Sequence, residues 1–264
     1  MGTIVIKIGG STVDAAGLLR ELGESISAVL ENNFPVIVHG GGKDIARQLD
    51  LLNKEFTFVE GMRVTDAQMV NVVQMVLSGD VNKRIVNALL MENVNAFGFS
   101  GVDAGLFTAS KMFVKGQDIG FVGQIDTVNS GIVDFCNKSK LVPVISPVSR
   151  GVDGAVYNVN ADLAAGELAM AMKADDLIFI SDVPGVLIDD KVRRSIKINE
   201  IEELISAGHV TGGMIPKLRS AADAVKRGVK RVHICGWNGS GTLHNELVGG
   251  ESAGTIIHDE RNPV

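Results

Sequence analysis

Two short apolar runs, each closed by glycines and followed by a segment of helical period, set the limits on how this chain folds. Thr3–Ile8 leads into Gly9–Gly10 and a predicted helix from about Asp14 to Asn32, and Pro35–Val38 leads into Gly40–Gly42 and a predicted helix from Lys43 to Leu52. Both runs are almost uninterrupted in apolar character, as strands covered on both faces require. Asn95–Phe99, Leu141–Ile145, Asp176–Ser181 and Arg231–Cys235 repeat the pattern. Alternation of such strands with helices predicts an α/β fold, a three-layer α/β/α sandwich around a mainly parallel sheet. Leu106–Asn129 departs from it. Polar–apolar alternation there, with turns expected at Lys115–Gly116 and Asp118–Gly120, predicts antiparallel β-hairpins inserted into the parallel core. A lobe boundary is expected near Lys173–Asp175, dividing residues 1–174 from residues 175–264.

Composition narrows the function classes. Hydrophobic residues make up 45% of the 264, enough for a large core and against disorder. A formal charge of −6 argues against a basic nucleic-acid-binding surface, yet local lysines and backbone amides can still hold an anion. Cys136 and Cys235 lack CxxC or Cys/His spacing and suit a reducing compartment. The histidines form no HExxH pair, so no protein-held transition metal is expected. Residues 1–10 lack a signal-peptide pattern, and Ile6 stands where myristoylation needs Ser or Thr. No apolar run reaches about 18 residues. The expectation is a soluble cytoplasmic protein with neither membrane nor nucleic-acid partners.

Several polar residues sit where an open α/β sheet places ligands, at the carboxyl ends of strands. Lys7 ends the first strand; burying a lone ammonium is costly, so it either meets an anion or snorkels to the surface. Gly9–Gly10 and Gly40–Gly42 let backbone N–H groups approach an anion, and the second turn precedes a helix. Neither turn has the GxGxxG spacing, and GxxxxGK[ST] is absent, which disfavours a dinucleotide fold or a P-loop. Arg63, in GMRVTD, is either a carboxylate clamp or a solvated surface arginine, with Thr65 or Asp66 a candidate cap for a helix over 67–77. In NVNADLAAG, Asn160 can cap a helix and Asp162 suits its positive end; capping leaves the clustering of Asn158 with them unexplained. Lys217 follows Gly212–Gly213 in a helix's first turn, where a cation opposes the macrodipole unless an anion intervenes; an exposed lysine is the alternative. Ser181 and Asp182 end a strand before a Pro184–Gly185 turn of the kind that lines nucleotide pockets. Trp237 reads as core or rim rather than a stacking platform.

Taken in order, KIGG, HGGG, GMRVTD, NVNADLAAG, ISDVPGV and GGMIPK resemble the N-acetylglutamate kinases of the amino acid kinase family, from Ile4 to about Ile257. That resemblance implies an amino acid kinase-like fold. It also implies ATP-dependent phosphorylation of the γ-carboxylate of N-acetyl-L-glutamate, the second step of arginine biosynthesis, with Mg²⁺ carried by the ATP phosphates. It implies that Lys7 and Lys217 stabilise the phosphoryl group in flight and that Asp162 organises both. Gly41, Gly42, Arg63, Asn158 and Asn160 would hold the acylated substrate. Gly9, Gly10, Ser181, Asp182, Val183, Gly185, Val186, Leu187, Gly213 and Met214, with Lys217, would meet the nucleotide. The first lobe would bind the acyl amino acid and dimerise, and the second would bind nucleotide. With the first strand starting near Thr3, the resemblance further implies a homodimer insensitive to arginine, since arginine-inhibited relatives carry an additional N-terminal helix. The rivals are a kinase of N-succinylglutamate or carrier-linked aminoadipate, and a non-catalytic ligand-sensing subunit. GMRVTD argues against the aminoadipate reading, and the presence of all three catalytic positions argues against the silent one.

Overall fold

The computed structural model describes residues 1–9, 16–212, 214–247 and 254–260. Among the described residues, eight strands make the main sheet: β1 (Gly2–Ile8), β2 (Asn33–His39), β3 (Ala96–Ser100), β4 (Val142–Ser146), β5 (Asp176–Ser181), β6 (Ser195–Lys197), β7 (Arg231–Gly236) and β8 (Thr255–His258). Their spatial order is β6-β8-β7-β5-β1-β2-β4-β3. Every neighbouring pair is parallel except β7 with β8. The six strands predicted from apolar runs are all present. The two that were not, β6 and β8, have three and four residues, too few to show a pattern.

Strand residues alternate between two cores, which is what makes the sandwich three-layered. On one face Val5, Val38, Leu177, Phe179 and Ile234 pack in one cluster; on the other, Ile4, Ile6, Ile8, Ile178 and Ile180 pack in a second. The helices that cover them are α1 (Ala16–Val29), α2 (Gly42–Leu51), α3 (Ala67–Gln74), α4 (Asn82–Met91), α5 (Gly131–Lys138), α6 (Ala161–Met172), α7 (Ile201–Ser206), α8 (Met214–Lys226) and α9 (Thr242–Leu247). The helix expected over 67–77 is longer than its sequence suggests. A π-helical segment, Met75–Val81, joins α3 to α4, so helical backbone runs from Ala67 to Met91. Gly79, a weak helix former, obscured that continuity.

The expected insertion is a second sheet in which Phe107–Val114 pairs with Gln117–Val128 across a Lys115–Gly116 turn. The other expected turn, Asp118–Gly120, lies inside the second strand instead. Gly120, at φ +81°, has no room for a Cβ, which would fall 2.1 Å from the Thr65 carbonyl oxygen. Thr65 N–H donates to Ile119 O at 3.0 Å, so this glycine docks the GMRVTD loop against the hairpin.

A buried ionic group ties the far half of the sheet together. His233 on β7 is fully buried, with Nε2 2.9 Å from Asp176 Oδ1 on β5 and Nδ1 3.4 Å from Glu246 Oε2 on α9. Arg231 donates to both oxygens of Asp176, at 2.7 and 3.0 Å. Burial pushes the His233 pKa down, but its bonds to the two carboxylates outweigh that and raise it above its ordinary 6.5. The imidazolium's stabilising contribution is therefore complete below about pH 6.5 and is lost as pH rises through the raised folded value. His233→Ala is expected to cost about 3 kcal/mol, because it leaves two buried carboxylates short of a cation. Urea unfolding between pH 6 and 9 checks this: wild type should weaken with rising pH relative to the variant, and parallel profiles would refute it.

Candidate active site

The carboxyl ends of β1, β2 and β5 open onto a cleft of about 550 Å³. It is lined by Lys7, Gly9, Gly40–Gly42, Arg63, Asn158, Asn160, Asp162 and Asp182. Lys7 reaches it because β1 lies at the centre of the sheet, between β5 and β2. Asn160 caps α6, its Oδ1 accepting the N–H groups of Asp162 (2.8 Å) and Leu163 (3.3 Å), which sets Asp162 in the first helical turn. Lys217 stands in the first turn of α8.

These three side chains meet. Lys7 Nζ lies 2.9 Å from Asp162 Oδ1, an ion pair not aligned as a hydrogen bond, and Lys217 Nζ lies 3.8 Å from Asp162 Oδ2. Both lysine side chains are mostly buried, at 14% and 16% exposure, so surface snorkelling does not account for either. Lys217 Nζ also sits 3.4 Å from Ser181 Oγ and over the ring of Phe179. Burial lowers the Lys217 pKa; Asp162 opposes that shift and the Lys7 charge adds to it. One carboxylate between two ammonium groups leaves excess positive charge facing the cleft, an arrangement suited to an anionic ligand.

On the opposite wall, Arg63 is 8% exposed rather than solvated. It belongs to a small hairpin, Phe58–Val59 paired with Met62–Arg63. Its guanidinium lies 4.0 Å from the ring centre of Phe56 and 4.8 Å from that of Phe58, and Nη2 donates to Gly42 O at 3.0 Å. Nη1 is buried with no acceptor among the described residues, leaving a donor for a ligand carboxylate. Asn158 Nδ2 donates to Thr65 Oγ1 (3.2 Å), whose hydroxyl donates to Arg63 O (2.7 Å). Asp66 caps α3 through Gln68 and Met69 N–H. Sequence reading missed Phe56 and Phe58, and it offered Thr65 only as a cap, a place that Asp66 takes. The FTF triplet just before GMRVTD was the available signal, in a chain only 5% aromatic.

The nucleotide candidates divide. Ser181, Asp182 and Val183, with Pro184, Trp237 and Asn238, line a neighbouring cavity of about 350 Å³, and Asp182 borders both spaces. Gly185 packs against Thr255 and Val192, and Leu187 is exposed. Val186 is buried with both backbone groups engaged, its N–H donated to Thr255 Oγ1 and its carbonyl accepting from Arg193 N–H. It can shape the loop but has no free backbone group for a ligand. Met214 packs partly against the core. Gly10 and Gly213 lie outside the described residues. Among the described residues, no three or more His, Cys, Asp or Glu side chains are grouped to hold a metal.

The sequence matches the amino acid kinase family over residues 2–236. It is 39% identical to an acetylglutamate kinase of Marinobacter nauticus, covering 97% of this chain and 92% of that protein. It is 41% identical to an acetylglutamate kinase of Methanopyrus kandleri, covering 89% and 95% respectively. Among solved structures, the protein smu.665 of Streptococcus mutans superposes with a TM-score of 0.80 at 27% identity, covering 98% of this chain and 99% of that one.

Because Asp162 raises the Lys217 pKa against burial and the Lys7 charge, Asp162→Asn is expected to lower it further. A ¹³Cε chemical-shift titration of Lys217 reads this directly. An unchanged or higher midpoint in the variant would show that Asp162 does not govern the pair.

Proposed function

This chain belongs to the amino acid kinase family, and we propose that it transfers the γ-phosphoryl group of ATP to the side-chain carboxylate of N-acetyl-L-glutamate. The products are N-acetylglutamyl 5-phosphate and ADP, in the second step of arginine biosynthesis. The observation that carries this reading is Asp162 held between Lys7 and Lys217 on one side of a cleft whose other side presents a buried Arg63 donor.

The chemistry follows from charge. An ionised carboxylate is already a nucleophile at neutral pH, so no general base is required. One of its oxygens forms the new bond to the γ-phosphorus while the bond to the bridging oxygen breaks and ADP leaves. The barrier lies in bringing anions together in line. Lys7 and Lys217 would neutralise the phosphoryl oxygens, and Gly9, Gly41 and Gly42 would add backbone donors. Arg63 and Asn158 would hold the substrate end that does not react. Mg²⁺, arriving on the nucleotide phosphates, would supply further charge neutralisation. Residues 1–174 would form the substrate lobe and residues 175–264 the nucleotide lobe. A cytoplasmic homodimer belongs to the same proposal. Apolar surface exposed at Phe97 on the edge strand β3, at Met91 and at Phe135 supports it, and a monomer by sedimentation at micromolar concentration would remove it.

An ADP-release assay comparing N-acetylglutamate, N-succinylglutamate and free glutamate tests the substrate; equal turnover of free glutamate would remove the acyl requirement. Lys7→Ala and Lys217→Ala should each lower kcat about 10²- to 10³-fold. Gly42→Ala provides a second check. A Cβ there meets nothing within 4 Å in the protein, and alanine favours the helix by up to about 1 kcal/mol. The variant should fold at least as well as wild type yet turn over more slowly, because the methyl group occupies ligand space. Undiminished kcat/KM would place the ligand elsewhere.

A further inference from the structure

Beneath the glycine turn lies a buried polar pair, His39 and Asn82, to which the proposed chemistry gives no part. His39 is the last residue of β2 and Asn82 the first of α4; both are fully buried. Asn82 Nδ2 faces three acceptors: Val144 O at 2.9 Å, His39 Nε2 at 3.1 Å and Phe99 O at 3.3 Å. Its Oδ1 accepts from Lys83 Nζ at 2.9 Å. Backbone carbonyls only accept, so the group turned toward Val144 and Phe99 is the amide NH₂. His39 Nε2 therefore accepts as well, and the ring proton resides on Nδ1. From there it is donated to Gly40 O at 2.9 Å.

That bond fixes a peptide plane in the cleft wall. Gly40 N–H is already donated to Ile8 O at 3.0 Å, so Gly40 is held at both ends. In a planar trans peptide the N–H points opposite to the C=O. With Gly40 O turned to His39, the Gly41 N–H turns away from it, and no acceptor meets that N–H among the described residues. Gly41 passes close to the π segment and leaves no room there for a side chain, since a Cβ on it would sit 2.6 Å from Cδ2 of the buried Leu77. The space for Asn82 is equally specific: a Cβ on Gly98 of β3 would fall 2.1 Å from Asn82 Oδ1. Burial, aided by the Lys83 and Arg84 charges and opposed by the Gly40 bond, lowers the His39 pKa to about 4, so the ring is neutral at physiological pH and Nε2 stays free to accept.

We infer that His39, held in its Nδ1–H tautomer by Asn82, is a positioning residue that fixes the Gly40–Gly41 peptide so that the Gly41 N–H meets the anionic oxygens reacting in the cleft. The inference rests on the proposed kinase reaction for its kinetic consequence and on geometry alone for the tautomer. Asparagine at position 39 can place its amide donor near the site of Nδ1, whereas glutamine places one near Nε2. His39→Asn is therefore expected to keep kcat within about 3-fold of wild type, and His39→Gln to lose about 10- to 100-fold, with KM for both substrates moving less than about 3-fold. Long-range ¹H–¹⁵N correlation on histidine-labelled wild-type protein should show the His39 proton on Nδ1. Equal kcat losses in the two variants, a change confined to KM, or a proton on Nε2 would overturn the positioning role. Wild-type protein that releases no ADP in response to N-acetylglutamate would instead overturn the kinase reading, while the tautomer measurement still decides the role of His39.

Discussion

A carboxylate shared by two ammonium groups is the constraint around which this molecule is arranged. Lys7 comes from the central strand, Asp162 from the first turn of α6 and Lys217 from the first turn of α8. Three elements far apart in sequence must be held in fixed relation for the charges to meet at 2.9 and 3.8 Å. Two buried lysines without Asp162 would repel one another in a medium that screens poorly. With it, the site retains net positive charge where phosphate has to be received.

The rest of the fold holds that arrangement still. Asn160 spends its side-chain oxygen on the cap that starts α6, and so sets Asp162 one step into the helix. Phe56, Phe58 and the Gly42 carbonyl hold the Arg63 guanidinium across the cleft, while Thr65 links Arg63 to Asn158. Gly120 lets the inserted hairpin pass close to Thr65, which brings the hairpin's edge to the cleft wall that carries Arg63. Each contact acts on orientation more than on affinity. That is where a reaction between two anions gains most, because its barrier is one of placement and charge.

Away from the cleft the polar investment serves stability. Asp176, His233 and Glu246 are buried, Arg231 covers them from a half-buried position, and the group joins β5, β7 and α9. Burial raises the Asp176 pKa, but the bonds from His233 and Arg231 outweigh it and hold the carboxyl below its usual range, while the same contacts raise His233 above its own. Paired this way the charges tolerate the interior. The His39–Asn82 pair near the cleft is neutral instead, as a group that orients backbone beside a charged ligand site needs to be.

Six of the eight strands and the layer count were legible in the sequence because a sheet covered on both faces leaves an unmistakable mark, apolar runs at Ile4–Ile8, Val36–Val38 and Leu177–Ile180 closed by glycine or polar turn residues, whereas the order of the strands came only from the fold. Lys7 and Lys217 stood out for a related reason, as charges at a strand end and a helix start with no evident local purpose, whereas Asp162 had one at the positive end of its helix and its place between them was only implied by the family resemblance. What the sequence left undecided was convergence. Whether Arg63 was solvated or clamped, and whether His39 was a scattered histidine or half of a buried pair, depended on partners 21 and 43 positions away that only packing brings near. Charge and periodicity are local properties and are written residue by residue. The direction of a peptide N–H or the tautomer of a buried ring is set by neighbours in space, and so it was decided by the tertiary structure.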